Sequence, residues 1–108
     1  MIEAPDFLPL GSVVTLQGND EKRLMVIGRA LAVDNAEGVR EYYDYALVLY
    51  PEGLIGDAIV YSNHDCVTNV FARGFTDEED EALTAVLKDM LAEVDDIPRS
   101  RPQDKDAW

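Results

Sequence analysis

The segment over residues 41–53 constrains the fold most strongly, because the strand that it predicts has two apolar faces. It holds four of the five tyrosines of the chain and the longest apolar run, and it ends at Pro51 and Gly53. Successive side chains of a strand point to opposite faces of the sheet. A strand that is apolar on both faces is covered on both sides, so residues 40–50 are predicted to form a central strand that ends in a turn.

Four shorter segments around this strand predict the rest of one sheet. They are rich in β-branched or aromatic residues and end at clusters of Gly, Asn, Asp or Pro, which is turn chemistry. The first two have the spacing of an antiparallel hairpin. The isolated Gly28 indicates a bulge or bend in the second segment. In one interpretation, residues 30–33 extend this segment. The predicted strands cover residues 12–17, 22–29, 58–62 and 66–71.

Residues 76–94 predict one helix. Thr76 followed by Glu79 has the pattern of a capping box. The acidic run 77–81 places carboxylates at the positive end of the helix dipole, and it lacks the ligand spacing and the glycine of a calcium loop. Apolar residues at spacings of three and four form one stripe, which must bury against the sheet or against a partner. The stripe consists of Leu83, Val86, Leu87, Met90, Leu91 and Val94.

These elements predict a single α+β domain over residues 1–94, a small curled antiparallel sheet of about five strands with the C-terminal helix packed on it. Residues 95–108, an acidic segment with two prolines, predict a disordered or loosely docked tail. We expect Leu47 and Leu49 to pack against the helix stripe, with Tyr43 and Tyr45 continuing the same face.

Tyrosine is enriched both in binding hot spots and in strands, so the tyrosine cluster has two interpretations. If the helix covers the Tyr43 and Tyr45 face, the other side of the strand becomes the partner-binding surface. That surface would contain Tyr42, Tyr50 and Tyr61.

Composition excludes several functional classes. The net charge is −13, from 22 acids and 9 bases, and such a surface repels nucleic acid and anionic membranes. It favours a basic protein partner, although acidity also serves solubility. The longest apolar run is far shorter than the about 20 residues of a membrane span. The first residues lack the pattern of a signal peptide, so we expect a cytoplasmic protein.

His64 and Cys66 are the only base and nucleophile that lie close together in the sequence. Residues two apart in a strand rarely reach catalytic geometry, and nothing nearby supplies an oxyanion site. One His and one Cys also fall short of a structural zinc site, and no glycine pattern fits a phosphate loop. We therefore expect no enzyme, no metal and no cofactor, and a thiol-dependent enzyme at Cys66 is kept as a minor alternative.

Several short motifs follow one another in a fixed order over about residues 7–90. They are Leu8-Pro9-Leu10-Gly11-Ser12-Val13-Val14-Thr15-Leu16, Leu24-Met25-Val26-Ile27-Gly28-Arg29, Tyr43-Asp44-Tyr45, Tyr50-Pro51-Glu52-Gly53, Asn63-His64-Asp65, Val70-Phe71 and Gly74-Phe75. This order resembles a family of small bacterial proteins of unknown function that are encoded beside LXG-type polymorphic toxins and the type VIIb secretion machinery.

The resemblance implies a non-enzymatic accessory factor, a targeting or chaperone-like protein whose partner is a secreted toxin or a component of the secretion machinery. The alternative is an immunity-type inhibitor of a toxin domain. This chain is more acidic than the family pattern, and residues 99–108 lie outside it. A partner could add a strand to the sheet edge or lay a helix against exposed apolar surface.

Overall fold

The computed structural model describes residues 2–94 and Ile97, and it contains an open antiparallel sheet of five strands together with an α-helix. In chain order the elements are β1 (Val13–Leu16), β2 (Asn19–Asp34), β3 (Arg40–Leu49), β4 (Val60–Ser62), β5 (Val67–Ala72) and α1 (Glu78–Ala92). A single turn of 3-10 helix, His64–Cys66, joins β4 to β5. The predicted α+β class, with about five strands and one C-terminal helix, is confirmed.

The sheet has the order β4-β3-β2-β1-β5, so the chain meanders from β1 to β4 and then returns to pair β5 with β1. Strand β3 lies between β2 and β4 and is buried on both faces, as its sequence predicted. Tyr45 and Leu47 are fully enclosed, and Val48 is only 1% exposed. The central position of β3 explains its almost continuous apolar run.

Strand β2 is longer than its apolar body of residues 24–27 indicates. It includes the four residues that the sequence left open as an extension, and it pairs with β3 as far as its last residue, Asp34. The register shifts between Val26 and Gly28, and Ala30 has a φ of 55°. The bulge expected at Gly28 is therefore present, and Ala30 adopts a backbone conformation that is uncommon for residues other than glycine.

The residues before β1, 2–12, form an N-terminal arm that completes the core between the sheet and α1. Phe7 and Leu8 are buried in the same cluster as Leu47 and Leu91, with Leu49, Leu87, Val94 and Ile97 packed against it. The backbone N–H of Ile2 donates to the carbonyl of Leu91 at 3.0 Å. The helix is thus held over the core partly through the arm. The tail predicted for residues 95–108 lies outside the described residues, apart from Ile97.

The helix begins one residue later than the capping box predicted. Asp77, whose backbone is extended, is the N-cap, and its carboxylate accepts from the backbone N–H of Asp80 at 3.0 Å. Thr76 instead donates its hydroxyl to the carboxylate of Asp80 at 2.9 Å. The prediction of Thr76 with Glu79 was wrong because Asp is an equally good cap and stands one position nearer to the helix.

The exit from β5 is clamped against the N-terminal arm. The N–H of Gly74 donates to Ser12 Oγ at 3.0 Å, and that hydroxyl donates to the carbonyl of Pro9 at 2.7 Å. A Cβ built on Gly74 would overlap the carbonyl of Leu10. Glycine is required here by close backbone approach, and this contact fixes where the chain turns from β5 toward α1.

Candidate functional site

The apolar stripe of α1 is only half covered by the protein itself. Leu91 is 8% exposed, and Leu87 and Val94 are half-buried against the core. The other three members of the stripe, Leu83, Val86 and Met90, are 48%, 52% and 60% exposed. We call these three residues the outer helix stripe. The sequence predicted that the stripe must be covered, either by the sheet or by a partner. In the structure one half of the stripe packs against the core, and the other half is exposed.

Helical geometry explains the division. At about 100° per residue, Leu87 and Leu91 lie on one side of the apolar stripe, and the outer helix stripe lies on the adjacent side. Val94 follows the end of α1 and packs against the same core as Leu91. The full stripe is therefore wider than the surface that the arm and sheet present to it. An exposed apolar stripe on a helix, next to a packed one, has the form of a binding surface rather than of scattered surface residues.

Acidic side chains border the outer helix stripe. By the same helical spacing, Glu79, Asp89 and Glu93 lie beside it on the side away from the core, and all three are exposed. The only base of α1, Lys88, donates to the carboxylate of Asp6 at 2.6 Å and lies toward the arm. This ion pair holds the pKa of the Asp6 carboxyl below its ordinary value. The electrostatic setting of the stripe is negative.

A cleft of about 610 Å³ continues the stripe beyond the start of α1. Leu10, Phe75 and Leu83 contribute its apolar walls. Phe75 is 81% exposed, and Leu10 is 48% exposed. Phenylalanine is among the residues that are most often buried, and this exposed ring extends the apolar surface of the outer helix stripe into the cleft.

The cleft also contains a buried ion pair that ties α1 to the sheet. Arg29, in β2, donates from Nη2 to Asp80 Oδ1 at 2.7 Å, and its side chain is 5% exposed. The hydrogen bond from Arg29 lowers the pKa of the Asp80 carboxyl. The Nη1 group of Arg29 is buried and has no hydrogen-bond partner among the residues that the structure describes. A buried donor without a partner is destabilising, so an acceptor that reached it would be favoured.

The three tyrosines proposed as a partner surface do not form one surface. Tyr42 is 2% exposed and belongs to the core cluster, so its assignment to an exposed surface was wrong. Tyr50 is 36% exposed, and the guanidinium of Arg23 lies 5.2 Å from its ring centroid. Tyr61 pairs with Ala46, four positions before Tyr50 along β3, which corresponds to about 13 Å. The involvement of Tyr50 and Tyr61 in binding stays a prediction.

The burial of Tyr42 has a structural reason that the alternation rule did not contain. Its hydroxyl donates to the carboxylate of Asp44 at 2.7 Å, and Asp44 is fully enclosed. The second oxygen of Asp44 accepts from the backbone N–H of His64 at 2.8 Å, while Asn63 Oδ1 accepts from the N–H of Asp44 at 3.0 Å. The buried carboxylate therefore anchors the turn between β4 and β5 to the central strand.

The side chains of His64 and Cys66 contact different residues of the chain. His64 Nδ1 forms a hydrogen bond of 2.7 Å with the hydroxyl of Tyr45, which also accepts from the N–H of Leu8 at 2.9 Å. Cys66 is 5% exposed, and its Sγ lies 3.9 Å from the carboxylate of Asp65. Burial raises the pKa of the Tyr45 hydroxyl to about 12. The side chains of His64 and Cys66 thus contribute to the turn between β4 and β5, and the Cys66 thiol does not line the cleft described above.

Within the described residues, no three His, Cys, Asp or Glu side chains lie close enough together to hold a metal ion. Within the same residues, no helical segment has the length and hydropathy of a membrane span. The outer helix stripe and the adjoining cleft remain the surface whose composition most clearly indicates a ligand.

Comparison with known proteins gives one match. Residues 7–83 match a family described as Domain of unknown function (DUF4176). The match extends over more than half of the 108 residues and includes all five strands, the cleft residues Leu10 and Phe75, and Leu83 at its end. Val86 and Met90 lie just beyond it. No curated protein and no solved structure matches the chain.

Proposed function

We propose a protein-binding role for this chain, which belongs to the DUF4176 family of domains of unknown function. In this proposal the chain is a non-enzymatic accessory factor, a targeting or chaperone-like partner of a secreted toxin of the type VIIb pathway. The exposed apolar surface of α1 supports the general role. The ordered motifs, which resemble those of proteins encoded beside LXG toxins, support the connection to toxin export.

The exposed outer helix stripe is the observation that carries the proposal. Three aliphatic side chains in one row, continued by Phe75, leave apolar surface that the described part of the chain does not cover. Covering the remaining half of each of the three side chains would contribute about 1 kcal/mol apiece, or about 3 kcal/mol together. That is about a hundredfold in affinity.

The charges around the stripe define the partner. Glu79, Asp89 and Glu93 border it, so a segment that binds there should carry lysine or arginine beside its apolar residues. The spacing of Leu83, Val86 and Met90 suits an amphipathic helix laid along α1. We therefore assign the partner segment as a basic amphipathic helix of the toxin, with one apolar side chain inserted between Leu10 and Phe75.

The test is a binding titration with the toxin encoded beside this gene. The wild-type chain is compared with L83S/V86S/M90S, which removes the outer helix stripe without touching Leu91. The matched control is L54S/I55S, because Leu54 and Ile55 are 58% and 57% exposed on the loop after β3. We expect about a hundredfold loss for the stripe variant and wild-type affinity for the control.

Two results would overturn the proposal. One is absence of binding by the wild-type chain from low to physiological salt, and the other is equal loss in the stripe variant and the control. Deletion of the gene then distinguishes the two toxin-related roles. Lost secretion with intact self-protection supports the targeting role, whereas lost protection with normal secretion supports the immunity-type inhibitor.

A further inference from the structure

Arg29 brings to the cleft at the start of α1 a hydrogen-bond donor that the described part of the chain does not satisfy. Its Nη2 group donates to Asp80 Oδ1, whereas its Nη1 group is buried and has no partner among the described residues. The side chain is 5% exposed, so bulk water reaches little of it. A buried donor without an acceptor keeps its desolvation cost. An occupant that brings an acceptor to Nη1 therefore binds more tightly than one that only covers the apolar walls.

The side chains around Arg29 in the cleft can move to admit an occupant. Leu10, Phe75 and Leu83 line the cleft together with Arg29, and all three are exposed. Exposed side chains change rotamer within picoseconds to nanoseconds. An approaching group can therefore displace these apolar side chains and reach the guanidinium without a change in the backbone.

The charges of the cleft select a neutral acceptor. Asp77, Glu79 and Asp80 line the cleft together with Arg29, so three carboxylates stand beside one guanidinium. Asp80 already balances the charge of Arg29, at 2.7 Å. A carboxylate or phosphate group of a partner would therefore be repelled by the other two carboxylates. A carbonyl oxygen carries no net charge, and it can accept from Nη1 without this repulsion.

The backbone of a helix has free carbonyl oxygens at one end only. In the interior of a helix each carbonyl accepts from the N–H four residues later, whereas the last four carbonyls have no partner inside the helix. The partner segment assigned above is a basic amphipathic helix. Its backbone can therefore offer an acceptor to Arg29 Nη1 from its last turn and not from its middle.

The position of the cleft then sets the direction of the partner helix. The cleft lies at the start of α1, and the outer helix stripe leads away from it toward Met90. A helix that ends in the cleft and lies along this stripe runs antiparallel to α1. Its negative end meets the positive end of α1, and the lysine or arginine that its dipole favours in the last turn faces Asp77 and Glu79. From Asp77 to Met90 α1 extends about 20 Å, which a helix of about 14 residues covers.

We propose that the partner helix binds antiparallel to α1, and that a backbone carbonyl of its last turn accepts a hydrogen bond from Arg29 Nη1. An apolar side chain of the same turn then lies between Leu10 and Phe75. This orientation rests on the proposed function of α1 as a protein-binding surface. It adds the direction of the bound segment and the kind of acceptor that the cleft takes.

Nuclear magnetic resonance of the isotope-labelled full chain tests the direction. The probe is a synthetic peptide of about 14 leucine and lysine residues, with leucines at spacings of three and four, an amidated C-terminus and a nitroxide label at its N-terminal end. It has no amide side chains, so its carbonyl acceptors belong to the backbone and the terminal amide. For an antiparallel helix we expect the nitroxide to broaden the amide signals of residues 90–94 and to leave those of residues 75–80 sharp.

Titration calorimetry with the unlabelled peptide tests the hydrogen bond. R29K keeps a positive charge beside Asp80 and removes the Nη1 donor, so it should weaken binding about tenfold. The matched control is R23K, because Arg23 is exposed and lies over the ring of Tyr50, and it should keep the wild-type affinity. Circular dichroism shows whether R29K is folded, and the nitroxide measurement on the wild-type chain does not depend on this variant.

The contrary outcomes separate this orientation from the proposed function. Broadening at residues 75–80 would show a parallel helix, and equal broadening at both ends of α1 would show that the helix has no fixed direction. Wild-type affinity in folded R29K would show that Nη1 takes no part in binding. Each of these results overturns the orientation alone, provided that L83S/V86S/M90S loses the peptide. A peptide that does not bind the wild-type chain, or binds that variant equally well, overturns the proposed function and the orientation together.

Discussion

Two neighbouring residues of α1 should respond very differently to truncation. Leu91 is 8% exposed and belongs to the buried cluster, whereas Met90 is 60% exposed. Leu91→Ala loses almost the whole transfer free energy of the side chain and leaves a cavity, so it should lower the free energy of unfolding by about 2–5 kcal/mol. Met90→Ala removes less buried apolar surface and gains helix propensity. It should therefore lower the free energy of unfolding by less than about 1 kcal/mol.

Urea unfolding followed by far-ultraviolet circular dichroism measures this difference. Small domains have about 5–15 kcal/mol of stability, so the Leu91→Ala transition should move far toward low urea with the same slope. The measurement is repeated at two protein concentrations, because a dimer would add a concentration-dependent contribution. Comparable losses for Met90→Ala and Leu91→Ala would show that the outer helix stripe is covered in the free protein, which would refute the reasoning about its availability.

Three further predictions concern the fold around this surface. Gly74→Ala places a methyl group against the Leu10 carbonyl and should lower the free energy of unfolding by about 1–3 kcal/mol or more. An unchanged melting temperature would show that the N-terminal arm moves aside. Folded Tyr45 holds its proton up to about pH 12, whereas an unfolded tyrosine loses it near pH 10. The free energy of unfolding should therefore be unaffected below about pH 10 and fall by about 2–3 kcal/mol as the pH rises from 10 to 12. Tyr45→Phe should flatten this part of the pH profile of stability, and a profile identical to that of the wild type would contradict the prediction. Because Arg29 lowers the pKa of Asp80, that pair stabilises the fold above about pH 4 and is lost at lower pH; Asp80→Asn should reduce the acid dependence, and an unaltered acid transition would contradict it.

The sheet could be predicted because hydrophobic pattern and turn chemistry agree along most of the chain. The central position of β3 follows from its two apolar faces, and the bulge follows from Gly28. The length of β2 was left open, because residues 30–33 contain no strong signal and the strand continues there by pairing with β3. The return of β5 to the side of β1 depends on contacts between residues 13–16 and 67–72, which local pattern does not encode.

The candidate site was predictable only in outline. The apolar stripe of α1 was visible in the sequence, whereas its division into a packed side and an outer side depends on how much surface the N-terminal arm offers. The ion pair between Arg29 and Asp80 joins positions far apart in sequence and had no local signal. Tyr42 was misplaced because the face of β3 opposite Tyr45 is covered as well, and a buried acceptor on that face, Asp44, binds its hydroxyl.

Hydrogen–deuterium exchange of the chain with and without the proposed toxin partner tests the central claim most directly, because it locates the contact on the chain. Binding along the outer helix stripe should slow amide exchange over residues 75–90 and leave the loop at residues 54–59 unchanged. Protection of the tyrosine positions Tyr50 and Tyr61 or of β5, with residues 75–90 exchanging as in the free chain, would contradict the assignment of α1 as the protein-binding surface.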